Sequence, residues 1–341
     1  MATSAQSERP YIPEPLRGWL PVVDDLIRGG PEGDFESIVA TILKEYLLSD
    51  DDDAPATFAR RFDDLYSEVY EPRFNGFNGT KKGWTGYLEV FYETVFAVAV
   101  GMEYDDPKQV KVIQLFSELR KLPTHVVKIF VQPEFEWIDS EIWTRDPLVS
   151  WKLFEADPGY VRAEDADNLK SQEDIDDFEA SVAAFVSFHT FSARCTAAGL
   201  DSADRGRFHS QGSFISSTIM QPLGEFLDYQ IMAVAQWILL SGDVIHAECV
   251  KKQLPPVIHR KYVWEGWENG NGPVVWKQWA DKLAEIAAAL EGGGDPGFKL
   301  FEKNREVLTD MVEKARDKMI ALEPGLFTEP SPGPVTNPTP S

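Results

Sequence analysis

Cysteine is nearly absent. Only Cys195 and Cys249 occur in 341 residues, too few for a disulfide framework, so a small disulfide-stapled fold is excluded. Basic residues are scarce as well: 33 Lys and Arg stand against 56 Asp and Glu, a formal charge of −23. A surface with that excess repels phosphate backbones and anionic lipid head groups, so neither nucleic acid nor membrane is expected as a partner. Long apolar runs are missing too. VFAVAVGM and IMAVAQWILL are the longest, well short of the roughly 18 residues that suggest a spanning helix. The first residues, MATSAQSERPYIPEPL, contain no apolar segment of the secretory kind. The expected setting is the cytosol, where the sequon Asn78-Gly79-Thr80 has no glycosylating machinery to meet.

The common chemical signatures are also lacking. There is no His-Glu-x-x-His, no Cys-x-x-Cys, no P-loop, and no Gly-x-Gly-x-x-Gly between strand and helix. Around Ser213 the stretch QGSFI lacks the second glycine of a nucleophile elbow. Asp243-Val-Ile-His246, with Glu248 nearby, has the i, i+3 spacing of a helical carboxylate–histidine pair. A di-metal bundle site needs two such pairs and two further glutamates. A calcium loop at Asp165 and Asp167 fails because Leu169 and Lys170 stand where a ligand and the turning glycine belong. Asp63, Asp64 and Glu68 in RFDDLYSE resemble one Asp-rich motif of a helical terpenoid cyclase, but no correctly spaced second motif follows. No metal and no cofactor is expected.

What is present is helical periodicity. Phe35, Ile38, Val39, Ile42, Leu43 and Tyr46 recur at helical spacing behind Asp34, and Phe58, Phe62, Leu65 and Val69 repeat the pattern. Helices are predicted over Trp84 to Tyr104, around Val112 to Leu119, and around Ile142 to Phe154. Further helices are predicted over Asp174 to Ala198, Gln221 to Leu240, Val274 to Leu290 and Phe298 to Leu322. VVKIFVQPEFEWI has strand-forming residues interrupted by Pro133. An irregular connection is the favoured reading there, with at most a short strand pair near Val126 to Val131. Two acidic runs, SDDDDA at 49–54 and EDADNLKSQEDIDDFE at 164–179, read as solvated loops or helix entries. The expected fold is all-α: a single multi-helix bundle over 16–322, with two largely buried central helices. Residues 1–15 and the Pro/Ser/Thr-rich 323–341 are expected to be disordered.

The first central helix carries FVSFHTFSARCTAAGL. At 100° per residue, Phe178, Val182, Phe185, Val186 and His189 share one side, and Ala184, Phe188, Phe191, Cys195 and Ala198 share an adjoining one. Only Glu179, Ser187, Thr190 and Arg194 are left as a polar seam. The second helix, apolar on several faces, also carries Glu225, Asp228 and Tyr229. A buried guanidinium needs acceptors for its fork of donors. An ion pair of Arg194 with Glu225 is therefore expected, with Asp228 as the alternative partner. His189, Arg194, Glu225, Asp228 and Tyr229 form a candidate buried polar cluster or pocket. Trp264, Trp267, Trp276 and Trp279, around a Gly/Asn loop, form a candidate aromatic pocket, although such residues more often pin a long loop onto a bundle.

Three segments, FHTFSARCTAAGL, PLGEFLDYQIMAVAQWI and VVWKQWADKLAEIA, resemble a fungal family of uncharacterised proteins, domain of unknown function 3632. The resemblance rests on Phe191, Ala193 and Arg194, then Glu225, then Ala235 and Trp237, then Trp276 and Trp279, and it is clear from about Phe185 to Leu290. Ser187 and His189 stand where the family usually has asparagine. The resemblance implies an all-helical fold of fungal origin and no particular activity. Two functions are then in play: a cofactor-free binding or scaffold protein with a protein or small-molecule partner, and an enzyme acting on a small apolar or aromatic metabolite in a helical-bundle pocket.

Overall fold

The computed structural model describes residues 18–29, 35–69, 84–123, 125–131, 136–145, 149–159, 170–200, 214–215, 218–220, 228–251 and 272–328. The fold is all-α apart from one small hairpin. In chain order the elements are α1 (Trp19–Gly29), α2 (Phe35–Leu48), α3 (Ala54–Val69), α4 (Trp84–Val100) and α5 (Pro107–Leu119). The strands β1 (Val126–Val131) and β2 (Glu136–Glu141) follow, then α6 (Ile142–Arg145), α7 (Val149–Glu155), α8 (Gln172–Ala197), α9 (Asp228–Cys249), α10 (Gly272–Glu291) and α11 (Arg305–Leu322). No described helix is long and apolar enough to cross a membrane.

Local chemistry accounts for several boundaries. Asp106 caps α5 by accepting from the Lys108 amide, with Pro107 at the first helical position, where its missing N–H removes nothing. Ser171 and Asp174 form a capping box at the start of α8. Gly242 lies inside α9, where an added Cβ would come within 3.3 Å of Lys318 Cε and 3.7 Å of Leu322. The absence of a side chain there lets α9 lie close against α11.

The hairpin differs from the favoured reading of an irregular connection. β1 and β2 pair antiparallel, with Val126 opposite Glu141 and Ile129 opposite Ile138. Pro133 comes after Val131 and before Glu136 in the sequence, outside the range of either strand. α1 is a helix that the periodicity reading did not single out. α9 runs nine residues beyond Leu240, while 221–227 lie outside the described residues.

Buried apolar residues form two clusters that share α8. One contains α2, α4 and α5 together with Phe188, Phe191 and Cys195 of α8. The other joins Val182, Phe185 and Val186 of α8 to α9, α10 and α11. The two apolar sides of α8 read from its sequence thus face different cores. α9 is buried on successive residues from Ile231 to Ala235, each with no exposure, as befits a central helix.

The chain end also departs from expectation. Glu323 to Thr328 were assigned to a structureless tail, yet Pro324–Leu326 form a 3-10 turn, and Leu326 and Phe327 pack against the second core. Glu323 accepts from Lys251 and lies 3.2 Å from His246 Nε2. Two apolar side chains and a paired carboxylate offset the ordering of these few residues.

Candidate functional site

Arg194 leaves α8 toward the first core, not toward α9. Its Nη1 donates to the Tyr104 carbonyl at 2.9 Å and to Gln109 Oε1. Gln109, fully buried, donates from Nε2 to Ser187 Oγ at 2.9 Å and to the Ala99 carbonyl at 3.3 Å, and Ser187 donates to the same carbonyl at 3.2 Å. Ser187 and Arg194 of the polar seam are thus met by an α5 glutamine, by the Ala99 carbonyl near the end of α4 and by the Tyr104 carbonyl beyond it. Arg120 extends the grip by donating to the carbonyls of Gly199 and Leu200, just past α8. Burial lowers the Arg194 pKa from its ordinary value, while Asp105 and Asp106 act against that shift.

The alternative pairing of Arg194 with Asp228 does not form among the described residues. Asp228 is buried and accepts from the Phe301 amide and from Asn304 Nδ2, each at 3.0 Å. Its own amide donates to the Lys299 carbonyl at 3.1 Å. Two neutral N–H donors just ahead of α11 thus meet Oδ2 of this carboxylate. Glu225 lies outside the described residues, as do Trp264 and Trp267.

His189 faces the second core. Its Nδ1 accepts from Trp237 Nε1 at 3.2 Å, and its ring stacks on Phe214 at 4.2 Å with Phe185 edge-on at 4.4 Å. Burial among these rings depresses its pKa to about 3, so the imidazole is neutral and serves as an acceptor. Tyr229 packs against Phe301 at 5.5 Å. The expected cluster is thus dispersed: His189, Arg194 and Asp228 serve three different contacts. Trp276 and Trp279 are both buried in the second core, their rings 6.2 Å apart. The Trp276 indole donates to the Met319 carbonyl at 3.2 Å, and the His246 ring lies 5.2 Å away. Asp243 and His246 do not converge: Asp243 pairs with Lys318 at 2.5 Å, and His246 with Glu323.

Two features escaped the sequence reading. One is Gln109, whose signal was available as a polar residue in helical register with Val112, Phe116 and Leu119. The other is Asp63, considered above only as part of an Asp-rich motif. Its Oδ1 accepts from Trp143 Nε1 at 2.6 Å and lies 2.7 Å from His125 Nε2. The His125 ring is 4.8 Å from that of Tyr66, whose buried hydroxyl has no hydrogen-bond partner among the described residues. Burial and the Asp63 charge push the Tyr66 pKa up to about 12, so its phenol stays protonated. A carboxylate that orients an imidazole is the arrangement of a general base; here it also ties α3 to the foot of the hairpin.

No curated protein and no solved structure matches the chain. The profile of the family described as protein of unknown function (DUF3632) matches residues 92–283, from α4 to α10. The matched span covers more than half of the chain and includes both Gln109 and Arg194, the two sides of the polar clamp. The chain belongs to the DUF3632 family.

Proposed function

We propose that the chain is a cofactor-free binding or scaffold protein acting in the cytosol. The observation that supports this reading is where its buried polar groups are spent. Arg194 and Ser187 satisfy Gln109 and two backbone carbonyls, and Asp228 holds a backbone amide and an asparagine at the entry to α11. His189 is sealed among aromatic rings as a neutral acceptor. Side chains used in this way set the register of packed helices and leave the surface to do the work. Native mass spectrometry of the purified chain is expected to find no retained small molecule. Cross-linking in an extract of its own cells is expected to join it reproducibly to one protein partner. Turnover of a metabolite by the purified chain overturns the reading.

The enzyme alternative, acting on a small apolar or aromatic metabolite, draws its support from Asp63 and His125, whose side chains are 19% and 26% exposed. It requires that His125→Ala abolish a turnover that the unaltered chain performs in metabolite-extract profiling, with the fold intact by circular dichroism.

A further inference from the structure

The acidic run at 49–54 has a place in the fold that its composition alone does not explain. Ser49 directly follows α2, and Asp50, Asp51, Asp52 and Asp53 separate it from α3. All four aspartates are exposed, the Asp50 side chain completely. Leu48 beside them is 54% exposed. Ser49 itself is partly exposed, and its hydroxyl accepts from the Asp51 amide at 3.2 Å. The corner is held by short-range bonds, Ser49 N to Tyr46 O, Ala54 N to Asp51 O and Asp53 N to Asp51 Oδ1, together with Lys111 Nζ to the Ser49 carbonyl at 2.6 Å. Between Leu47 and Ala54, both buried in the first core, none of the residues 48–53 is buried.

We infer that Ser49 is a phosphorylation site for a serine/threonine kinase that recognises carboxylates following its acceptor. The reacting group is the serine hydroxyl, and the aspartates supply recognition by a basic substrate groove through charge-assisted contacts at the four positions after it. The Ser49 Oγ attacks the γ-phosphorus of ATP. The new O–P bond replaces the bond to the bridging β,γ-oxygen, ADP leaves, and the hydroxyl proton passes to the base of the kinase. The product places a dianion at the carboxyl end of α2, against the helix dipole and beside four carboxylates, with Lys111 as the nearby cation. Modification therefore loosens the α2–α3 corner.

Ser171 supplies the contrast. It too precedes acidic residues, Glu173 and Asp174, but its hydroxyl caps the Asp174 amide at 3.1 Å, and the Asp174 side chain caps Ser171 in return. The capping box holds that serine at the head of a long helix, so a kinase must break the box before it can extend the segment. The structure thus separates two serines that the sequence presents as similar.

In the test, the full chain is incubated with purified casein kinase holoenzyme, magnesium and radiolabelled ATP, and the sites are assigned by peptide fragmentation. Label is expected on Ser49, with Ser171 modified more slowly. Ser49→Ala should lose that label and Ser49→Thr should keep it. Asp50→Asn combined with Asp52→Asn should slow labelling of Ser49 by about tenfold, the loss of one good charge-assisted contact. Circular dichroism checks that each variant is folded. An unlabelled Ser49, labelling of Ser171 in preference to Ser49, or an undiminished rate in the double Asn variant each overturns the assignment.

Discussion

Replacing Arg194 by Ala tests the clamp between α8 and α5 directly. The substitution leaves Gln109 Oε1 without its donor inside a residue that has no exposure. A buried acceptor left unsatisfied costs about 1–3 kcal/mol. Loss of the bond to the Tyr104 carbonyl, at 2.9 Å in a partly buried position, adds roughly 0.5–1.5 kcal/mol. Arg194→Ala should therefore destabilise the chain by about 2–4 kcal/mol, read by urea unfolding as a lower midpoint. In a thermal melt of a chain this long the loss is about 3–6 °C. Arg194→Lys, which keeps the charge and loses the planar fork, should fall between the two. The decisive assay is a double-mutant cycle with Gln109→Met. Once Gln109 is apolar, Ser187 still donates to the Ala99 carbonyl at 3.2 Å, and the loss of Arg194 then removes a donor only from the Tyr104 carbonyl. The double variant should be more stable than the sum of the singles by about 1 kcal/mol or more. Arg194→Ala within about 0.5 kcal/mol of the unaltered chain, or additivity within about 0.5 kcal/mol, refutes the clamp.

Other consequences are equally measurable. His189 titrates near 3 when folded and near 6.5 when unfolded, so below pH ~6.5 the unfolded chain takes up a proton that the folded chain does not. Its contribution to stability is constant above that pH and falls by about 1.4 kcal/mol per pH unit below it, reaching about 2 kcal/mol at pH ~5. His189→Phe should flatten this part of the stability–pH curve while stranding the Trp237 N–H at a cost of about 1–3 kcal/mol at neutral pH; an unaltered curve contradicts the assignment. Ending the chain at Leu322 removes Glu323, Leu326 and Phe327 and should cost about 1–3 kcal/mol relative to a chain ending at Thr328, so equal melting temperatures would show that the turn is only a passenger. Gly242→Leu forces side-chain volume between α9 and α11 and should cost about 1–3 kcal/mol by overpacking, a loss that a surface Gly→Leu control does not show.

Much of the architecture was legible because it depends on local period. The two apolar sides of α8 could be assigned from spacing alone, and each proves to face a separate core. Caps act at equally short range: Asp106 and Pro107 open α5 within two residues of the amide they serve. The short strand pair near Val126 to Val131 was legible from its β-branched residues, but it ranked behind an irregular connection because a proline weighs against a strand only if it lies within one, and Pro133 lies in neither. The chain end was misjudged because composition was averaged over 323–341, although Leu326 and Phe327 are enough to hold the first turn of that segment.

The candidate site was harder to read, and the reason is physical. Arg194 and Asp228 were correctly marked as charges on helices suited to burial, and opposite charges on neighbouring helices were then matched with each other. That step assumes that charge is best met by charge. A guanidinium needs acceptors, however, and a carboxylate needs donors, and neither requirement names an ion. Arg194 finds a carbonyl and an amide oxygen, and Oδ2 of Asp228 finds two neutral N–H donors. Neutral partners avoid the desolvation of a second ion, which is the larger part of the penalty for a buried pair. Gln109 precedes Ser187 by 78 residues, and nothing local in either helix encodes their meeting. What does mark the site in the sequence is the mismatch on each helix: a glutamine on the apolar stripe of α5, and a serine and an arginine on the one polar seam of α8. Polar residues at core positions on two helices imply each other, because a buried donor left alone would be costlier than the pair. Matching such misplaced polar residues by hydrogen-bonding capacity, rather than by the sign of charge, would have found the clamp.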